Sequence, residues 1–83
     1  MKIIVKYFAS IREAMGQGSE TLDTSAVTLA ALRDVLIARG GPGGDALARG
    51  RAVRLALNQV MSDESVALVE GCEVAFFPPV TGG

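Results

Sequence analysis

Apolar positions in the first eight residues repeat every second residue. Ile3, Val5 and Tyr7 fall on one face and Ile4, Lys6 and Phe8 on the other, the period of a β-strand. The first face is apolar throughout and is predicted to meet the core. The second carries a lysine and is predicted to meet solvent or a partner. Ala9 to Met15 is predicted as a short helix, with Ser10 as its cap and Gly16 as its stop. Gly16-Gln17-Gly18 then turns the chain into Ser19 to Thr24, a weakly alternating, edge-like strand.

The clearest helix runs from Thr28 to Arg39. Thr28 can cap it, and Leu29, Leu32, Val35 and Leu36 share a face at helical spacing. Arg33 and Asp34 are placed off that face. Arg39 suits the negative end of the dipole, and Gly40 can take a left-handed cap. Gly40-Gly41-Pro42-Gly43-Gly44 is predicted as a flexible loop, because glycine costs backbone entropy and proline removes a donor. A phosphate-binding loop would need Gly-Lys-Ser/Thr behind a strand, whereas here Asp45-Ala46-Leu47 follows a helix.

Val53 to Asn58 reads as a third strand, with Val53, Leu55 and Leu57 inward and Arg54, Ala56 and Asn58 outward. Asn58-Gln59 and Ser62-Asp63-Glu64 read as turns, and Val66 to Val69 as a short apolar strand. Glu73 to Phe77 is the last strand, with Val74 and Phe76 on one face and Ala75 and Phe77 on the other. The first and last strands are the most apolar and are predicted to lie centrally. If they pair in parallel, a helix must cross between them, and only Thr28–Arg39 is long enough. The expected fold is an α+β roll, one main helix packed on a mixed sheet. Residues 1–77 form the domain and residues 78–83 an extended tail.

Composition narrows the function. A chain of 83 residues, 49% hydrophobic and 20% charged, is one small globular domain with no room for a large cofactor cavity. The net charge of -1 gives no nucleic-acid footprint. Arg49, Arg51 and Arg54 are the nearest approach to a basic group, and they read as a solvated face. One cysteine allows no internal disulfide. No stretch approaches a signal sequence or a membrane span. A soluble, cytoplasmic protein with no nucleic-acid or membrane partner is expected.

Absence of histidine removes the commonest general base and metal ligand, and one cysteine makes no zinc cluster. No metal site is expected. Cys72 lies beside Glu73, and acidic neighbours raise a thiol pKa, so it reads as structural. What remains is the end of the chain, Phe77-Pro78-Pro79-Val80-Thr81-Gly82-Gly83. The prolines stop sheet pairing and hold the chain extended. Six residues reach about 20 Å beyond the sheet, and a tip without side chains enters a channel that any Cβ would block. The reactive group would be the carboxylate of Gly83, a poor acyl donor that must first be activated, for instance as an acyl adenylate made from ATP by another protein. A sulfur nucleophile that displaces AMP leaves a thiocarboxylate.

Glu73-Val74-Ala75-Phe76-Phe77-Pro78-Pro79-Val80-Thr81-Gly82-Gly83 closely resembles the C-terminus of the small subunit of molybdopterin synthase, the MoaD family. Lys6-Tyr7-Phe8-Ala9-Ser10-Ile11-Arg12-Glu13, Thr28 to Leu36 and Leu57-Asn58-Gln59 are similar to its other segments, so the resemblance covers most of the chain. It implies a β-grasp, ubiquitin-like fold. It also implies adenylation of Gly83 by a ubiquitin-activating-like adenylyltransferase, sulfur from a donor protein, and no stably bound cofactor. The tail, Pro78, Pro79, Val80 and Thr81 leading to Gly82 and Gly83, would enter the large synthase subunit, in a complex expected to be a heterotetramer. Sulfur would pass there to cyclic pyranopterin monophosphate, with the catalytic side chains on the large subunit. Docking through the outer sheet face is implied for Phe8, Met61 and Phe77, with Arg12 at the rim. The glycine-rich loop and Cys72 depart from the family pattern. A carrier for a thiamine-type pathway, a protein modifier joined through Gly83 and a passive interaction domain are the alternatives.

Overall fold

Two strands from opposite ends of the chain form the centre of the sheet. The computed structural model describes residues 1–79. In chain order its elements are β1 (Lys2–Tyr7), α1 (Ala9–Met15), β2 (Ser19–Asp23), α2 (Leu29–Ala38), α3 (Gly41–Ala46), β3 (Arg54–Leu57), β4 (Val60–Ser62) and β5 (Glu73–Phe77). The sheet order is β2-β1-β5-β3-β4. β1 and β5 run parallel, Val5 opposite Val74 and Tyr7 opposite Phe76, and every other pairing is antiparallel. The predicted central parallel pair is therefore present, with α2 in the connection between its strands. This is the β-grasp arrangement.

The inner face forms as the alternation predicts. Ile3, Val5 and Tyr7 of β1, Val74 and Phe76 of β5 and Leu55 of β3 are buried with Leu29, Leu32 and Leu36 of α2. Tyr7 and Phe76 stack with ring centroids 6.3 Å apart. Burial of each such large side chain is worth about 1.5–3 kcal/mol. Thr28 caps α2 as expected, its hydroxyl accepting from the Ala31 amide at 3.1 Å. Cys72 is free, buried in the same core and 3% exposed.

Several local expectations fail. Phe8, in extended conformation, precedes the first residue of α1, so Ser10 lies inside the helix and does not cap it. The Gly40–Gly44 segment is not a loop. Gly41–Ala46 is helical, and Gly43 and Gly44 are buried. A Cβ on Gly43 would stand 2.3 Å from Met15 Sδ, and one on Gly44 would stand 2.7 Å from the Ile37 carbonyl oxygen. The glycines let α3 press against α1 and α2, and that packing outweighs their entropic cost.

The fourth strand is Val60–Ser62 rather than Val66–Val69. Asn58 and Gln59 both take positive φ, 50° and 68°, which closes a tight hairpin and returns the chain at once along β3. Residues 66–69 instead cross the start of α2. The Val66 carbonyl accepts from the Leu29 amide at 3.1 Å, and the Leu68 amide donates to Val27 at 2.9 Å. They thereby satisfy a donor that the first helical turn leaves open.

On α2, Val35 is 41% exposed, whereas Arg33 is buried. The Arg33 guanidinium donates to the carbonyls of Leu47 at 2.7 Å, Ala48 at 2.9 Å and Arg51 at 3.1 Å, and it pairs with Glu64 at 3.4 Å. A charge is hidden because an irregular segment offers it three acceptors. Ala56 lies on the outer face as expected, but it is buried there, opposite Met61 on β4 and Ala75 on β5.

Candidate functional site

Pairing registers define the outer sheet face. Tyr7 lies opposite Phe76, so the next residues, Phe8 and Phe77, are neighbours. Their rings meet edge to face with centroids 6.3 Å apart and an interplanar angle of 87°. The Phe8 amide donates to the Phe76 carbonyl at 3.2 Å, which holds the first residue after β1 against β5. Phe8 is 47% exposed and Met61 54%. Each presents to solvent a surface that would be worth burying, and apolar side chains clustered in this way mark interfaces.

Between these residues the face is flat. Met61, Ala56, Ala75 and Lys6 form one row across β4, β3, β5 and β1. The two alanines make its floor, with Met61 at one end. At the other end Lys6 Nζ pairs with Glu73 at 3.3 Å. Arg54 stands opposite Phe77 in the neighbouring row. Ile4, 41% exposed, extends the apolar area along β1. It was legible as an outward position in the alternation, but nothing else in the sequence sets it apart as a contact residue. Ala56 and Ala75 give no sequence signal at all, because their role is to be small between larger neighbours.

At one end of this face the chain leaves the sheet. Phe77 is the last residue of β5, and Pro78 and Pro79 follow it half-buried. Pro78 lines a cleft between α1 and α3 with Ile11, Ala14, Pro42 and Arg51. Arg12 is exposed one turn into α1, its amide donating to the Phe8 carbonyl at 3.2 Å. The structure thus brings together Phe8, Phe77 and Pro78 at the tail exit, with Met61 across the same face, while the Arg12 guanidinium lies beside Gly18 in a hollow lined by Glu13, Gly16 and Gln17. Val80, Thr81, Gly82 and Gly83 lie outside the described residues.

Behind this site, at the inner end of the aromatic stack, is a polar contact. The Tyr7 hydroxyl donates to Glu20 at 2.6 Å, and Glu20 also accepts from Arg39 at 3.2 Å. Burial, reinforced by the hydrogen bond to Glu20 and by its charge, raises the Tyr7 pKa above the usual phenol value of 10.0, with Arg39 acting weakly against them. Tyr7 therefore stays neutral and serves as a donor that ties β1 to β2.

A family model described as the ThiS family matches residues 5–83. The molybdopterin synthase sulfur carrier subunit of Haemophilus influenzae is 38% identical over 79 residues, covering 95% of this chain and 96% of the relative. The protein of the same name from Escherichia coli is 38% identical over 81 residues, covering 98% and 99%. Among solved structures, a chain in the complex of subunits 1 and 2 of molybdopterin-converting factor from Helicobacter pylori superposes with a TM-score of 0.71. It is 26% identical, and the match covers 100% of both chains.

Proposed function

Since this chain belongs to the ThiS family, we propose that it is the sulfur carrier subunit of a molybdopterin synthase and that the carboxylate of Gly83 is its working group. The observation that carries this reading is the position of the tail root. A central strand ends at Phe77, against exposed Phe8, on a face with Met61 and no covering layer among the described residues. A partner that docks on that face receives the tail beside it.

The chemistry requires three transfers. The Gly83 carboxylate attacks the α-phosphate of ATP on an adenylyltransferase and releases pyrophosphate. Hydrosulfide released by a donor protein attacks the acyl carbon and expels AMP, which leaves a thiocarboxylate. In the large subunit the thiocarboxylate sulfur attacks a carbon of cyclic pyranopterin monophosphate and displaces an oxygen substituent, which leaves with the C–O electron pair; water then cleaves the acyl–sulfur bond, which returns the carboxylate and leaves the sulfur on the product. The dithiolene takes two sulfurs, so the carrier is recharged or replaced between them. The fold contributes position, and the catalytic side chains belong to the large subunit.

Intact mass tests this reading directly. Protein incubated with ATP, the adenylyltransferase and a sulfur donor gains the mass difference of one oxygen replaced by sulfur, mapped to Gly83. A persistently unmodified Gly83 overturns the reading, and Gly83 found in isopeptide bonds to lysine assigns a modifier instead. Gly82→Ala adds a methyl group at the second-to-last residue. The expected result is impaired charging or sulfur transfer with an unchanged thermal midpoint.

A further inference from the structure

The chain carries four sulfur atoms, in Met1, Met15, Met61 and Cys72. The fold shelters three of them. Cys72 is 3% exposed within the core. Met1 and Met15 are partly buried and pack against the core cluster. Met15 is also covered by α3, so closely that a Cβ on Gly43 would stand 2.3 Å from its Sδ. Met61 is the sulfur residue left open, at 54% exposure, and it lies outside the core cluster.

That open sulfur stands on the outer sheet face. Met61 is opposite Ala56, and Ala56 is opposite Ala75, so its neighbours in the row are too small to cover it. It sits on β4, an edge strand, where peroxide can approach from the side as well as from above. The chemistry available to an open thioether is oxygen transfer. A sulfur lone pair attacks one oxygen of hydrogen peroxide, an S–O bond forms as the O–O bond breaks, and the second oxygen leaves as water. The sulfur is oxidised by two electrons and the peroxide is reduced by two. The product is a sulfoxide, in which a flexible apolar side chain has become polar and chiral.

We propose that Met61 is an oxidation site, at which a peroxide converts a docking contact into a sulfoxide and weakens the hold of the carrier on the second synthase subunit. The proposal rests on the sulfur-carrier reading and adds a chemical control to its docking face. A sulfoxide oxygen is a strong hydrogen-bond acceptor. In the free carrier water satisfies it, whereas docking strips that water away, and a buried acceptor left unpaired opposes association. The fold itself is spared, because Met61 packs outside the core. Reductases specific for each sulfoxide epimer reverse the change.

Titration calorimetry of the whole chain against the purified second subunit tests the site, before and after hydrogen peroxide has been applied to the carrier and removed. The carrier is used uncharged, so that no thiocarboxylate is present to be oxidised as well. Peptide mass is expected to map the first added oxygen to Met61, and circular dichroism to show an unchanged thermal midpoint. The Kd is expected to rise about tenfold or more, and the two methionine sulfoxide reductases together restore it. Met61→Leu, compared only with itself, keeps its Kd within about twofold through the same treatment. The site is overturned by a first oxygen on Met1 or Met15, or by an oxidised Met61 that binds within about twofold of the untreated protein. It is equally overturned by a Met61→Leu carrier that loses as much affinity as wild type, by a loss the reductases do not reverse, or by a lowered thermal midpoint. Each of these leaves the carrier reading standing. Failure of the untreated wild-type protein to bind the second subunit at all overturns both.

Discussion

The two faces of this sheet are made from the same strands and much the same residue types, yet they do different work. Tyr7 and Phe76 on the inner face are covered by α2 and each is at most 1% exposed, while their chain neighbours Phe8 and Phe77 meet on the outer face with Phe8 47% exposed. Both pairs are aromatic, and both have centroids 6.3 Å apart. What separates them is the layer above. An aromatic pair under a helix contributes to folding, whereas the same pair under solvent holds its burial energy in reserve for a partner.

Adjacent substitutions on β5 break the comparison most directly. Phe76→Ala empties a filled core and is expected to cost about 3–5 kcal/mol, enough to unfold a domain of this size outright. Phe77→Ala removes a side chain that is only half-buried and is expected to cost about 1 kcal/mol or less, while weakening association with the second subunit at least tenfold. Urea unfolding and titration calorimetry on the two variants separate the faces. A Phe77→Ala protein that binds normally would remove the outer face from the interface.

The covering layer is the next point of attack. α2 closes the inner face with three leucines and also buries Arg33, which serves the Leu47, Ala48 and Arg51 carbonyls. Arg33→Met keeps the length of the side chain and removes every donor. Leaving these carbonyls and the Glu64 contact unmet is expected to cost about 3 kcal/mol. Hydrogen exchange should show the loss first in residues 47–53. Uniform destabilisation without local opening there would mean that Arg33 does not pin the segment.

How much of this was legible beforehand depends on whether the signal is local. The alternation in β1 and β5 placed both sheet faces correctly, because a period of two is a property of neighbours in sequence. Thr28 was readable as a cap for the same reason. The errors share the opposite property. Arg33 looks outward until the carbonyls of residues 47–51 are folded beside it. Gly43 and Gly44 look like a loop until Met15 and Ile37 are seen pressed against them. Val66–Val69 looks like a strand until the start of α2 takes up its backbone. The candidate site was legible as far as Phe8 and Phe77, which alternation and the family resemblance both marked, and Met61, which the resemblance alone marked.

The smallest effect sharpens the comparison within the inner face itself, where Tyr7 is the one aromatic residue with a polar end. Its hydroxyl gives Glu20 a hydrogen bond of 2.6 Å. Tyr7→Phe keeps the ring in its stack and is expected to cost about 1–2 kcal/mol at neutral pH. The cost should depend on pH with a definite sign. Burial and Glu20 raise the phenol pKa in the folded protein above 10.0, its ordinary value, so above about pH 10 the unfolded chain releases a proton that the folded protein retains. Ionisation then favours the unfolded state, and the stability that Tyr7 provides is complete below about pH 10 and falls as pH rises beyond it, by about 1.4 kcal/mol per pH unit. Tyr7→Phe has no such proton to lose. Urea unfolding of both proteins from about pH 8 to about pH 11 should show their stabilities converging, since lysine titration affects the two alike. A gap that stays constant to the alkaline limit would mean that Tyr7 ionises as readily in the fold as outside it, and that its hydroxyl faces water rather than Glu20.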